Sequence, residues 1–203
     1  MNSERYWAQA PATIDGVLGG VEQVHETDIR SSKNFLESLT GVGRERALDC
    51  GAGIGRLSKH LLCPMFKTTD VMESAGQMIA RAKVDLPSER IGEFLQCSIE
   101  QAVLTKSYDL VVLHWVAAYI EDDALVSFLA RCKSALRQGG VVFIKDNIAS
   151  SNRGAIDKDD GSRIRSDTRY KTLFANADLA CIKEARQRQW PRDLYAAKMY
   201  ALQ

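Results

Sequence analysis

Asp49-Cys50-Gly51-Ala52-Gly53-Ile54-Gly55-Arg56 carries the densest chemical information in the chain. Glycines at alternate positions follow a short apolar run and precede a helical pattern. The backbone there can turn tightly and approach a bound cofactor that side chains would block. The helix over 54–62 aims its first N–H groups into that turn. The spacing is G-x-G-x-G, not the G-x-G-x-x-G of dinucleotide enzymes. Arg56 offers a planar guanidinium to a ligand carboxylate, or else is a solvated arginine in a first helical turn. Asp70 and Glu73 compete to accept two ribose hydroxyls, which one carboxylate can do. Glu73 lies about 20 residues past the glycines, the usual distance, which leaves Asp70 as a solvated surface acid.

Four more places carry chemistry. Ser98-Ile99-Glu100 offers an apolar face and polar groups to a flat ring. His114-Trp115 follows an apolar run; the histidine reads as a structural residue or a cofactor contact, and the tryptophan as a core anchor or a binding face. Asn147, after Asp146, can accept from an amine without adding charge and so hold its lone pair in line. Asp157-Lys158-Asp159-Asp160 reads as a solvated loop or as an acidic wall for a cationic substrate.

Elements that could position these groups alternate along the chain. Strands are expected over 46–50, 67–72, 93–97, 108–113 and 141–145. Helices are expected over 54–62, closed by Pro64, over 74–84, and around Leu125, Phe128, Leu129, Cys132 and Leu136, stopped by Gly139-Gly140. Such alternation implies a mostly parallel sheet covered on both faces, with ligands at the carboxyl ends of the strands. Beyond it, 150–161 reads as a loop and 162–175 as a helix. The stretches 179–188 and 195–202 read as late antiparallel edge strands. Residues 1–40 form an extension, a short helix plus loop to about Glu26, then a helical stripe of Ile29, Phe35, Leu36 and Leu39. The fold expected is therefore α/β: one seven-stranded, mostly parallel sheet in one domain, 1–203.

The 203 residues hold 27 Lys+Arg against 26 Asp+Glu, a balance that argues against a general nucleic-acid binder. The five cysteines are scattered and never spaced C-x-x-C, so reduced intracellular thiols are expected rather than disulfides or zinc. Neither a signal peptide nor a membrane span is apparent.

The chain resembles the protein N-terminal (α-amino) methyltransferases, a class I family that uses S-adenosyl-L-methionine (SAM) to methylate the free amino group of Xaa-Pro-Lys N-termini. The resemblance covers about 6–202. It rests on Tyr6-Trp7, Thr13-Ile14-Asp15-Gly16-Val17-Leu18-Gly19-Gly20, the glycine loop, His114-Trp115-Val116 and Ile144-Lys145-Asp146-Asn147. The Asp15-Gly16-Val17-Leu18-Gly19-Gly20 and Lys145-Asp146-Asn147 segments discriminate better than the glycine loop. It implies a Rossmann-like fold, SAM as cofactor and S-adenosyl-L-homocysteine (SAH) as product, no metal, and peptide partners with an exposed Xaa-Pro-Lys terminus.

By position, the resemblance assigns Gly51, Gly53, Arg56, Glu73, Ile99, Glu100 and His114 to the cofactor. Leu18, Gly19, Trp115, Asp157, Ser162, Leu194 and Tyr195 fall to the substrate, with Trp115 against its proline. Asn147 falls to the α-amine, and Asp160 to the lysine and to proton removal. Residues 1–40 become a lid, and the cytoplasm or nucleus the expected place. Three positions depart from the family pattern. Glu73 stands for an aspartate, His114 for a glutamine, and Tyr119 for a histidine implicated in proton removal. Other readings are a methyltransferase for another small amine, a non-catalytic peptide-binding module of the same fold, and a nicotinamide oxidoreductase, which the glycine spacing disfavours.

Overall fold

The computed structural model of the chain describes residues 3–151 and 153–203. Three helices come first: α1 (Ser3–Gln9), α2 (Ile14–Val17) and α3 (His25–Glu37). Thr13 caps α2, its side chain accepting from the Gly16 N–H. Then β1 (Arg46–Cys50) enters the sheet and the glycine loop follows.

The helix after that loop differs from expectation. It passes through a π-turn, Ser58–Leu62, into α4 (Cys63–Met65), so Pro64 lies inside it. Proline has no N–H to give, and the wider turn just before it, where the Cys63 N–H reaches Ser58 O, accommodates that loss.

The alternation continues with β2 (Thr68–Met72), α5 (Gly76–Asp85), β3 (Ile91–Leu95), β4 (Tyr108–His114), α6 (Asp122–Ala135) and β5 (Leu136–Ile148). The strand β5 is longer than the sequence suggests. Leu136 is already extended (ψ 141°), so α6 ends there and Gly139-Gly140 lies within the strand. Next comes a small antiparallel hairpin, β6 (Ala155–Ile156) with β7 (Arg163–Ile164), placed where a loop and a helix start were expected. Asn152 of that expected loop lies outside the described residues. The helix α7 runs only over Asp167–Asn176, because Ser166 is its cap and accepts from the Arg169 N–H. The strands β8 (Cys181–Arg186) and β9 (Ala196–Leu202) finish the chain.

The sheet order is β3-β2-β1-β4-β5-β9-β8. The pairs through β5 are parallel, and β9 is antiparallel to both its neighbours. Every residue of β4 is buried, as a central parallel strand requires. Its Val111 and Leu113 join Leu48, Phe128 and Tyr170 on one face, while Leu110 and Val112 join Phe35, Leu61 and Phe143 on the other. The strand order reverses between the parallel neighbours β1 and β4, so the crevice at their carboxyl ends is where a ligand site is expected. In a Ser166→Ala variant, loss of the cap lowers the urea-unfolding free energy by about 1 kcal/mol.

Candidate active site

A cavity of about 360 Å³ opens at that crevice. All seven residues assigned to a cofactor, Gly51, Gly53, Arg56, Glu73, Ile99, Glu100 and His114, line it, and Trp115 joins them. The glycines are needed for a reason the sequence reading missed. Gly51 has φ +64°, and a Cβ there would sit 2.6 Å from Val116 Cγ2. The loop is thus pressed against the segment after β4, and that contact by itself leaves no room for a side chain at Gly51.

Glu73 stitches the loop in place. Its Oε2 accepts from the Gly53 N–H at 2.8 Å and its Oε1 from the Ala75 N–H at 2.8 Å. The Ser74 hydroxyl also reaches Oε1, at 3.4 Å, and Oε2 keeps a lone pair for a hydroxyl in the cavity. The competing acid corrects the expectation of a solvated carboxylate. Asp70 is fully buried in β2, facing away from the cavity's lining, and accepts from Arg46 Nε and Nη2 at 2.7 Å, Tyr108 Oη at 3.1 Å and the Glu93 N–H. It holds the sheet together. Asp49 is also buried and accepts from the Ser58 N–H and hydroxyl, anchoring the π-turn. Burial pushes its carboxyl up to about 6.

Arg56 is buried, not solvated, and it does not stand alone. Its Nη2 donates to Asp28 Oδ2 at 2.7 Å. Asp28 is fully buried on α3 and also receives Lys145 Nζ from β5 and faces His114 Nε2 at 3.3 Å. Lys145 Nζ donates further to Ser32 Oγ (3.1 Å) and Gln187 Oε1 (2.7 Å). Burial alone raises the Asp28 carboxyl, but His114, Lys145 and Arg56 outweigh it and hold it well below the ordinary value. His114 goes down to about 4, driven by burial against the opposing pull of Asp28. It is therefore a neutral ring near pH 7, and the network assigns its Nδ1, 3.5 Å from Arg56 Nη2, as the acceptor.

The segment of Ile99 and Glu100 is pinned by Arg131, which donates to both carbonyls. Trp115 adopts φ +60°, a strained conformation for a bulky residue. Its ring stacks on Trp190 at 5.8 Å, and the Trp190 Nε1 donates to Tyr195 O. The cavity's outer rim is Trp7 of α1, whose carbonyl accepts from Gln77 and whose ring meets Tyr119 edge-on at 5.5 Å.

Of the residues assigned to the substrate and to catalysis, Trp115 lines the cavity, whereas Leu18, Gly19, Asn147, Asp157, Asp160, Ser162, Leu194 and Tyr195 do not. Tyr119 lines it, and its hydroxyl donates to Asp160 Oδ2 at 2.6 Å. The other Asp160 oxygen accepts from the Ser162 N–H, and Asp157 Oδ1 from the Asp159 N–H, so both acids sit in the turn joining β6 to β7. Burial, then Asp160, Asp157 and Asp159, raise the hydroxyl pKa of Tyr6, which places α1 beside this acidic turn. Asn147 is half-buried near the carboxyl end of β5, two residues past Lys145 and on the same face. Asp146 points the other way and accepts from the Ala118 and Asn147 N–H groups. Leu18 and Gly19 lie in the turn after α2, where Val17 rather than either of them reaches the cavity. Leu194 and Tyr195 lie between β8 and β9, and Tyr195 is 47% exposed.

Asp28, Lys145, Trp7, Arg131 and Trp190 carried no assignment from the sequence. Only Asp28 left a usable signal: His25, Asp28 and Ser32 fall at helical spacing in phase with Phe35, and all are buried.

The sheet order, the glycine loop after β1 and the acid after β2 define a class I SAM-dependent methyltransferase. The family model for AdoMet-dependent proline di-methyltransferases matches residues 1–203, and the chain belongs to that family. N-terminal Xaa-Pro-Lys N-methyltransferase 1-B of Xenopus laevis is 36% identical over 98% of this chain and 93% of its own. Alpha N-terminal protein methyltransferase 1 of Caenorhabditis elegans is 36% identical over 98% and 88%. A solved SAM-dependent methyltransferase from Leishmania major is 46% identical and superposes with a TM-score of 0.96, covering 99% of this chain and 81% of that one. The protein is thus a SAM-dependent N-methyltransferase, and the cavity's residues fit the cofactor: a pressed glycine loop, an acid at the ribose position and a buried guanidinium.

Two outcomes check this site. Glu73→Gln weakens SAH binding about tenfold by calorimetry, whereas Asp70→Asn leaves SAH binding within about twofold and costs about 3 kcal/mol of stability. In acid, an unfolded His114 takes up a proton near pH 6.5 that the folded one refuses until about 4, so this residue's contribution to stability falls across that window. Asp49 and Asp146, both raised to about 6 by burial, act with the opposite sign. The difference in unfolding free energy between wild type and His114→Gln therefore shrinks from pH 7 to pH 4.

Proposed function

We propose that this enzyme methylates the free α-amino group of protein N-termini beginning Xaa-Pro-Lys, as the names of its relatives say of them. The observation that carries the reading is the Tyr119–Asp160 hydrogen bond, which ties the acidic turn to the rim of the cofactor cavity. Carboxylates there meet a substrate cation close to the methyl-transfer point.

When bound, SAM supplies an electrophilic methyl group on a sulfonium. The chain's own residues do the rest. Arg56 receives the methionine carboxylate, Glu73 the ribose, and Ile99 and Glu100 the adenine. Asn147 accepts a hydrogen bond from the amine and fixes its lone pair without offering a charge. Trp115, backed by Trp190, faces the proline ring. Asp157, Asp160 and Ser162 receive the lysine at the third position. Leu18, Gly19, Leu194 and Tyr195 flank the peptide, and α1 with α2 closes over it as a lid. The departing amine proton goes to Asp160 or to water.

Neutralising the nucleophile is cheap for this substrate. An α-amine has a pKa of about 7.7–8 against about 10.4 for a lysine side chain, so near pH 7 it loses its proton at a cost of about 1 kcal/mol. Tyr119 does not compete for that proton. Burial and its bond to Asp160 push its hydroxyl pKa far up, so it remains a donor. The five unpaired thiols suit the reducing cytoplasm or nucleus as the place of action.

The test incubates the protein with SAM and an unblocked Ser-Pro-Lys peptide, read by mass spectrometry. One or more added methyl groups are expected on the amino terminus and none on the acetylated peptide; a SAH-binding protein that leaves the free peptide unmodified overturns the reading. In the same assay Asn147→Ala loses turnover by about 100-fold or more while SAH affinity changes less than threefold. The Asp157→Ala and Asp160→Ala variants raise KM for Lys-bearing peptides. Indifference to both substitutions in an active enzyme points to another amine substrate.

A further inference from the structure

Under the cofactor cavity lies a charged cluster to which none of the assigned roles above extends. Asp28, Lys145, Ser32 and Gln187 come from α3, β5 and the loop after β8; Lys145 links to Arg56 through Asp28, and Ser32 also through His114. The carboxylate of Asp28 is shared: Oδ2 takes Arg56, while Oδ1 takes Lys145 and faces His114. Among the described residues it is the only acid paired with either cation. With His114 neutral, two positive side chains face one negative, so the cluster carries one positive charge in excess.

Buried charge in excess is costly unless a partner arrives. Arg56 lines the cavity, and one edge of its guanidinium is held by Asp28, which leaves the remaining donors directed away from that bond. A guanidinium is a fork whose value to a carboxylate depends on its orientation. Arg56 sits where the chain turns into the π-helical segment, and nothing else on that segment bonds its guanidinium. The short ion pair comes from Asp28 of α3, with His25 of α3 and His114 of β4 at longer range.

We propose that Asp28 is a positioning residue for the cofactor's amino-acid tail: it aims Arg56 at the methionine carboxylate and keeps Lys145 from competing for that site. The proposal rests on Arg56 being the carboxylate's partner, and it links cofactor affinity to the seating of α3, an element outside the glycine loop. The Asp28 carbonyl, Ser32 and Gln187 supply the remaining acceptors for Lys145, so its charge is held by α3 and the loop after β8 together.

The experiment compares two ligands by calorimetry: SAH, and 5′-methylthioadenosine, the same nucleoside thioether without the amino-acid tail. Arg56→Met comes first and should abolish the preference for SAH; a preference that survives sinks the Arg56 assignment rather than the role of Asp28. The Asp28→Asn/Lys145→Met double variant removes both members of the buried Asp28–Lys145 pair and keeps the net charge of the cluster, while leaving Arg56 without its acid partner. Its expected SAH dissociation constant is about tenfold higher, with 5′-methylthioadenosine within about twofold of wild type. Asp28→Glu keeps every charge and displaces Arg56 by one methylene, and the same split between the two ligands is expected. Thermal melts select the variants that fold. Parallel weakening of both ligands, or no change in either, overturns the proposal, because a merely structural role has no means of telling the tail from the nucleoside.

Discussion

The carboxylate of Asp28 is the constraint on which the rest of the site depends. A fully buried acid must be met by charge or by several donors, and this one is met by a residue from each of three separate elements. Through it, α3 is fastened to the start of the π-turn by Arg56 and to β5 by Lys145. Both attachments lie one step from proposed chemistry, since Arg56 faces the cavity and Asn147 follows Lys145 by two residues along the same face. An N-terminal extension that looks peripheral in sequence is therefore part of the foundation of the cofactor site. Conversely, α1 and α2 reach the cavity through Ser3, Glu4, Trp7 and Val17.

The two halves of the site are built differently as a result. The cofactor half rests on β1, β2 and β4, where burial on both faces leaves little freedom, and its acids are already engaged by backbone N–H groups. The substrate half rests on the β6–β7 hairpin and the loop between β8 and β9. There the cohesive contacts are mostly between side chains: Tyr119 with Asp160, Arg163 with Glu121, Arg165 with Asp122 and the carbonyls of Ala117 and Ile120, Trp115 with Trp190, and Trp190 with the Tyr195 carbonyl.

The central strands and the cofactor lining were legible because both depend on local signals. Continuous apolar runs mark strands buried on two faces, and a ligand crevice falls at the ends of those strands whatever the side chains do. What escaped depends on contacts between residues far apart in sequence. Asp70 reads as a surface acid until Arg46 and Tyr108 are brought beside it by the sheet register. Pro64 reads as a helix end because a π-turn leaves no mark in composition. Gly139-Gly140 reads as a stop because the extended run from Leu136 contains no β-branched residue before Val141. Residues 162–166 read as helix, but Arg163 and Ile164 pair across to Ala155 and Ile156, and the helical pattern starts only once Ser166 has capped it. The substrate residues were assigned by resemblance, and their positions around the rim follow from that short hairpin, which the sequence reading left as a loop.

Tyr119 shows how one substitution shifts where the chemical burden falls. A histidine at that point can take a proton, whereas a tyrosine whose hydroxyl is committed to Asp160 cannot. On the proposed reading, the enzyme then has little means of neutralising a strongly basic amine and must accept one that arrives nearly neutral. The α-amine satisfies this near pH 7 and the lysine ε-amine does not. Asp157 and Asp160 reinforce the distinction, since carboxylates favour the charged form of whatever amine binds beside them. An acidic turn next to the transfer point would thus suppress methylation of the lysine it holds while leaving the chain terminus, kept by uncharged Asn147, free to react. Selectivity for the terminus follows from placing charge under one amine and withholding it from the other.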